Sequence, residues 1–73
     1  MTANSILLQK KYTRIIALFA KKMHFSFEDS LDFFYNSKTY DLISNGISDM
    51  HCMSDEYLTE NLIEEYNSKN QKN

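Results

Sequence analysis

Residues 6–23 have the sequence ILLQKKYTRIIALFAKKM, and this segment decides the fold. Its large apolar residues recur every three or four positions, the spacing that places side chains on one face of an α-helix. They are Leu8, Tyr12, Ile15, Ile16, Phe19 and Met23. The segment therefore predicts an amphipathic helix that begins near Ile6, with Asn4 or Ser5 as its N-cap, and ends near Met23.

Two leucines of this helix fall outside the apolar face. At about 100° per residue, Leu7 and Leu18 project together on another side, with Lys11 and Lys22 between them and the main face. We interpret this second apolar side as a contact with a neighbour, either another helix of the same chain or a second subunit.

Serines mark the starts of three more predicted helices, because a serine hydroxyl accepts hydrogen bonds from the free N–H groups of a first helical turn. They are Ser26 before residues 27–36, Ser37 before residues 38–45 and Ser54 at the start of residues 54–67. The predicted buried residues of these helices are Phe27, Leu31, Phe34, Tyr35, Tyr40, Leu42, Ile43, Leu58, Leu62 and Tyr66. The fold class predicted is all-α, a small bundle of about four short helices in a single domain, residues 1–67, with a frayed polar tail at 68–73.

The segment 45–55, NGISDMHCMSD, forms the predicted corner before the last helix. Gly46 is placed where a helix commonly ends in the left-handed conformation. Ile47 follows it and is expected to supply the apolar contact that often accompanies such a cap. The simplest interpretation of this segment is a compact connection between helices that carries no chemistry.

The same corner carries the residues that could do chemistry, Asp49, His51 and Cys52. A Cys–His nucleophile needs an imidazole within reach of the sulfur, and adjacent residues rarely face each other. Structural zinc needs four nitrogen or sulfur ligands, whereas the chain has three such side chains, counting His24. We therefore expect no catalytic residue, no metal and no cofactor, and Asp49, His51 and Cys52 remain the candidate site if the chain has any chemistry.

Composition excludes several function classes. With no proline and one glycine among 73 residues, tight hairpins and glycine-rich phosphate loops are disfavoured. One cysteine cannot form an internal disulfide, which suits a reducing compartment. The longest apolar run, residues 15–20, is far shorter than a membrane span needs, and Lys10 and Lys11 interrupt any signal-peptide pattern. We expect a cytoplasmic protein with no membrane contact.

Charge is divided along the chain. Residues 1–24 carry five basic residues and no acid, whereas residues 25–66 carry all ten acids and a single base, Lys38. The simplest interpretation is that the two parts neutralise each other when they pack. The alternative is a small regulatory nucleic-acid-binding protein that uses Lys10, Arg14 and Lys21 on the first helix. Nucleic acid is the less favoured partner because an acidic body accompanies that helix.

Three segments carry a resemblance to a known family. They are residues 6–14, ILLQKKYTR, residues 32–40, DFFYNSKTY, and residues 42–52, LISNGISDMHC. Over residues 6–66 the chain resembles a small bacterial family of short helical proteins catalogued as a domain of unknown function. The family has no known active site, so the resemblance assigns no catalytic residue. Its members are often encoded beside larger proteins, some similar to ADP-ribosyltransferases, which implies an accessory or antitoxin-like partner.

The function predicted is a non-enzymatic helical module for protein–protein interaction. A small core gives marginal stability, and that favours a protein partner or self-association, including a possible dimer. The candidate partner contacts are Leu7, Leu18 and Phe33, the apolar residues that fall off the predicted buried faces. For Phe33 two interpretations stay open, packing against the following helix or an exposed aromatic anchor.

Overall fold

A computed structural model describes residues 5–70, without the side chains of residues 5–7, 48, 49, 51 and 70. It shows four α-helices and one 3₁₀ helix. They are α1 (Ser5–Met23), α2 (Phe27–Tyr35), α3 (Lys38–Ser44), the 3₁₀ helix (Ile47–Cys52) and α4 (Asp55–Asn70). No strand occurs between residues 5 and 70, so the predicted all-α bundle is confirmed. The 3₁₀ helix was not predicted, and it occupies the corner between α3 and α4.

Serine hydroxyls cap three of the helices, as predicted. The Oγ atoms of Ser26, Ser37 and Ser54 each accept a hydrogen bond from the backbone N–H three residues on, at 3.1, 3.0 and 3.1 Å. Each bond satisfies an N–H group that has no partner inside the helix. Of the two predicted caps of α1, Asn4 lies outside the described residues and Ser5 is the first helical residue.

The end of α1 is closed by a left-handed residue that is not glycine. His24 has φ of 60°, and the N–H of Phe25 donates to the carbonyl of Ala20 at 2.9 Å. This is the 6→1 bond of a Schellman cap. The Phe25 ring packs against the ring of Phe19, with centroids 5.7 Å apart, and so adds the apolar contact of that motif. The chain thereby reverses from α1 into α2 within three residues.

The core is built on the predicted face of α1. Four residues of that face are buried, and Leu8 and Met23 pack against them from either end. The buried apolar residues are Tyr12, Ile15, Ile16, Phe19, Phe34, Ile43, Leu58 and Leu62. Since both α2 and α4 contact α1, the longest helix is the centre of the bundle.

The predicted buried face of α2 is wrong for three of its four residues. Phe34 is fully buried, but Phe27, Leu31 and Tyr35 are 47%, 37% and 43% exposed. The helix instead presents Phe34 and the small residue Ser30 to the core. The Ser30 hydroxyl can be buried because it donates to the carbonyl of Ser26 at 2.9 Å.

Two boundary predictions also change. Gly46 adopts the left-handed conformation as predicted, with φ of 67°, and Ile47, which was expected to supply an apolar contact, is 49% exposed. Helix α4 continues to Asn70, three residues past its predicted end, and residues 71–73 lie outside the described part. Lys69 explains the extension, because its Nζ lies 3.7 Å from Glu65 Oε2 and 5.6 Å from the centroid of the Phe33 ring.

Candidate functional site

The ion pairs between α1 and α4 meet at Asp55. Its carboxylate accepts hydrogen bonds from Arg14 Nε at 2.6 Å and from Lys11 Nζ at 3.1 Å. The Arg14 hydrogen bond lowers the pKa of Asp55 against the opposing effect of partial burial, and Lys11 lowers it further. A second contact places Lys22 Nζ 3.7 Å from Glu60 Oε2. The basic helix and the acidic last helix therefore neutralise each other where they pack, as predicted.

This arrangement reduces the basic surface that nucleic acid could use. Arg14, one of the three residues of that alternative, already binds Asp55. Lys10 and Lys21 are exposed and form no ion pair within the described part of the chain. Phosphate binding depends on clustered cations, and these two lysines are about 16 Å apart along the helix.

A second carboxylate, Glu65, holds α3 against α4. Its Oε2 accepts from the N–H of Lys38 at 2.7 Å, and its Oε1 accepts from the N–H and the hydroxyl of Thr39 at 3.1 and 2.9 Å. Burial raises the pKa of Glu65, but the three hydrogen bonds outweigh it, so the pKa is lowered overall. Sequence reasoning missed this residue. The available signal was its position next to Tyr66 and three residues after Leu62, away from the exposed row of glutamates.

The predicted chemical candidates lie on the 3₁₀ helix. Cys52 is a free, exposed thiol. The side chains of Asp49 and His51 lie outside the described residues, so the structure does not place them relative to Cys52. Among the side chains that the structure does describe, no group of three or more metal-ligating residues is gathered in one place. The expectation that this corner has no catalytic or metal-binding role stays a prediction.

The predicted partner contacts are partly buried where the structure describes them. Leu18 is half-buried, and the side chain of Leu7 lies outside the described residues. Phe33 stacks on Phe19, with centroids 5.5 Å apart and planes at 11°, and meets the edge of Tyr66 at 5.2 Å. Phe33 thus packs against α1 and α4 and is not an isolated aromatic residue in solvent.

The main apolar surface lies on the other flank of α2. Phe27, Leu31 and Tyr35 are spaced four residues apart and form one row, which we call the α2 ridge. Its last residue contacts the rings of Tyr12 and Tyr40, at 6.2 and 4.8 Å between centroids. Since Phe33 faces α4, the ridge lies on the flank of α2 that points away from α4.

Acidic residues border the ridge on its solvent side. At about 100° per residue, Glu28 and Asp32 lie directly beside the ridge and Asp29 lies farther around the helix. All three are exposed. None forms an ion pair with a described basic residue, in contrast to the acids of α4 that face α1. The edge of the ridge therefore keeps its negative charge.

The ridge leads into a broad open groove between α3 and α4. Tyr35 belongs to both, and Tyr40 and Leu42 continue the apolar lining along α3. The opposite wall is formed by Asn61, Glu64, Ser68 and Lys69 of α4. The two features meet at Tyr35. The α3 side of the groove is mixed, because Tyr40 and Leu42 lie there among polar residues, and the α4 side is polar.

Comparisons of the chain with protein-family models, with characterised proteins and with solved structures found no match. The resemblance to a bacterial helical family therefore stays a prediction. Between residues 5 and 70, no helix combines the length and the apolar character required to cross a bilayer.

Proposed function

We propose that this chain is a non-enzymatic helical module that binds another protein through the α2 ridge. The observation that carries the proposal is the exposure of Phe27, Leu31 and Tyr35 in one row. An exposed row of large apolar side chains is typical of an interaction site, whereas single exposed apolar residues are common on any surface. Covering roughly 80 Å² on each residue would contribute about 2 kcal/mol per side chain.

The shifted pKa values of Tyr12, Asp55 and Glu65 support a structural role for these residues. Burial raises the pKa of Tyr12, and its neighbours Tyr40 and Tyr35 raise it further. Asp55 and Glu65 have lowered pKa values because they bind the side chains or backbone of neighbouring helices. Catalytic residues with shifted pKa values are expected to share a cleft. The pKa shifts of Tyr12, Asp55 and Glu65 are instead explained by the packing around each residue.

The size of the surface indicates the kind of interaction. The ridge exposes roughly 250 Å² in all, against about 800 Å² per partner in a standard stable interface. The ridge alone therefore suits a transient complex, and a tighter one would extend into the groove beyond Tyr35. The resemblance to the bacterial family adds that the partner is a larger protein, for which this chain acts as an accessory or antitoxin-like subunit.

Site-specific photocrosslinking tests the proposal. We expect p-benzoylphenylalanine in place of Phe27 to capture a discrete partner in an extract of the source organism, and to lose that product when Leu31→Ser is added. The matched control carries the same photoreactive residue in place of Tyr57, which is 50% exposed on α4 and outside the ridge. Equal products from both positions, or none from the ridge together with a monomer in sedimentation, would contradict the proposal.

A further inference from the structure

Taking the proposed function as its basis, we infer that the partner segment covering the α2 ridge is a basic amphipathic helix. Helix α2 carries Glu28, Asp29 and Asp32 and no basic residue over Phe27–Tyr35. A partner whose lysines or arginines flank its own apolar row would pair with this edge while its apolar row covers the ridge. The charge and the exposed side chains therefore specify the same kind of partner.

The spacing of the ridge fits a helix. Its first and last residues are eight residues apart, or about 12 Å along the axis of α2, which corresponds to about two turns of a helix packed alongside. Helices recognised in this way present apolar residues at intervals of three and four. The groove between α3 and α4 begins at Tyr35, at the end of this row, and contains Tyr40 and Leu42 among polar residues.

A second copy of this chain fits the surface less well. Two-fold pairing of the ridges would place Glu28 and Asp32 of each copy close to the same acids of the other, and like charges oppose association. Helix α1 of a second copy also fits the ridge poorly, because the spacing of its lysines does not match that of the acids on α2. Its exposed Lys10 and Lys21 are about 16 Å apart along the helix, whereas Glu28 and Asp32 are about 6 Å apart.

Three synthetic peptides of about 15 residues test the charge of the partner. The first has leucines at helical spacing flanked by lysines, the second has glutamate in place of every lysine, and the third has the composition of the first with its leucines scrambled. In fluorescence anisotropy with the full chain, we expect the first peptide to bind at least about tenfold more tightly than the others. Its affinity should fall as salt is raised, because the pairs are exposed.

Paired variants locate that binding on the ridge. We expect Leu31→Ser and Phe27→Ser each to weaken binding of the leucine–lysine peptide by about ten- to thirtyfold, as their exposed areas imply. Glu28→Gln with Asp32→Asn should weaken it by about fivefold. The controls, Tyr57→Ser and the pair Glu56→Gln with Glu60→Gln, remove matched groups from α4 and should change it by less than about twofold.

The outcomes separate this inference from the proposed function. Equal binding of the lysine and glutamate peptides, equal losses from the acid variants of α2 and α4, or no binding of the lysine peptide would overturn the basic partner. A dimer in sedimentation equilibrium that Leu31→Ser dissociates would assign the ridge to a second copy and also overturn it. In each case the photocrosslinking result at Phe27 decides independently whether the ridge binds protein.

Discussion

His24 is held in a conformation that favours glycine, because its φ of 60° brings Cβ close to the following backbone. Two contacts of the next residue, Phe25, hold His24 in this conformation. The N–H of Phe25 completes the helix cap on Ala20, and the ring of Phe25 packs on Phe19. The imidazole itself is exposed. The backbone here therefore serves the turn between α1 and α2, and the side chain is free to change.

Replacing His24 with glycine should stabilise the protein. Relief of the left-handed conformation exceeds the added entropy of the unfolded chain, so we expect His24→Gly to raise the free energy of unfolding by about 0.5–1 kcal/mol. Urea denaturation measures it. His24→Ala is the control, because it removes the imidazole but keeps Cβ, and it should leave stability near that of the original chain. A similar gain from both variants would refute the explanation.

Glu65 is a second residue whose structural role depends on particular atoms, the two carboxylate oxygens that accept hydrogen bonds from α3. Both of its oxygens accept, whereas glutamine would turn an NH₂ group toward the N–H of Lys38 or Thr39. We expect Glu65→Gln to destabilise the protein by about 1–3 kcal/mol. Glu64→Gln, the same change on the exposed neighbouring residue, should cost less than about 0.5 kcal/mol. Indistinguishable urea midpoints for the two variants would show that the capping bonds contribute little.

At the scale of the elements, length determines how much the sequence predicts. Over the 19 residues of α1 the apolar spacing repeats across five turns, and the buried face follows from it. Helix α2 has nine residues with five large apolar ones, which point to nearly every side. The buried face of α2 is the one that carries Ser30, whose small side chain allows close contact with the core. The contact of Glu65 with Lys38 joins residues 27 apart, and no local pattern encodes it.

At the scale of the molecule, two carboxylates of the described residues, each with a lowered pKa, tie α4 to the rest of the bundle. Asp55 binds α1, and Glu65 binds α3. The acids beside the α2 ridge form no ion pair with any described residue. Negative charge is therefore used to assemble one side of the protein and left exposed on another.

Acid should weaken the bundle through these two residues. Their folded pKa values lie below the ordinary values of 3.8 for Asp55 and 4.5 for Glu65, so the unfolded chain binds more protons in that range. Their contribution is complete above about pH 5 and is lost as the pH falls through the folded pKa values. We expect the free energy of unfolding to decline below about pH 5, as followed by circular dichroism. Asp55→Asn with Glu65→Gln should flatten that decline, whereas Glu56→Gln with Glu60→Gln should leave its slope in place.

The hydrogen bonds that join Glu65 to α3 have a consequence for local unfolding of the protein. Helix α3 has seven residues, too few to persist in water without neighbours, and Ile43 is its one fully buried apolar side chain. Helix α3 therefore relies on the burial of Ile43 and on the hydrogen bonds from Lys38 and Thr39 to Glu65 to stay in the bundle. Its release would remove Tyr40 and Leu42 from the end of the groove. A ligand bound at this end of the groove would hold α3 in its folded position. Ligand binding and the folding of α3 would therefore be coupled.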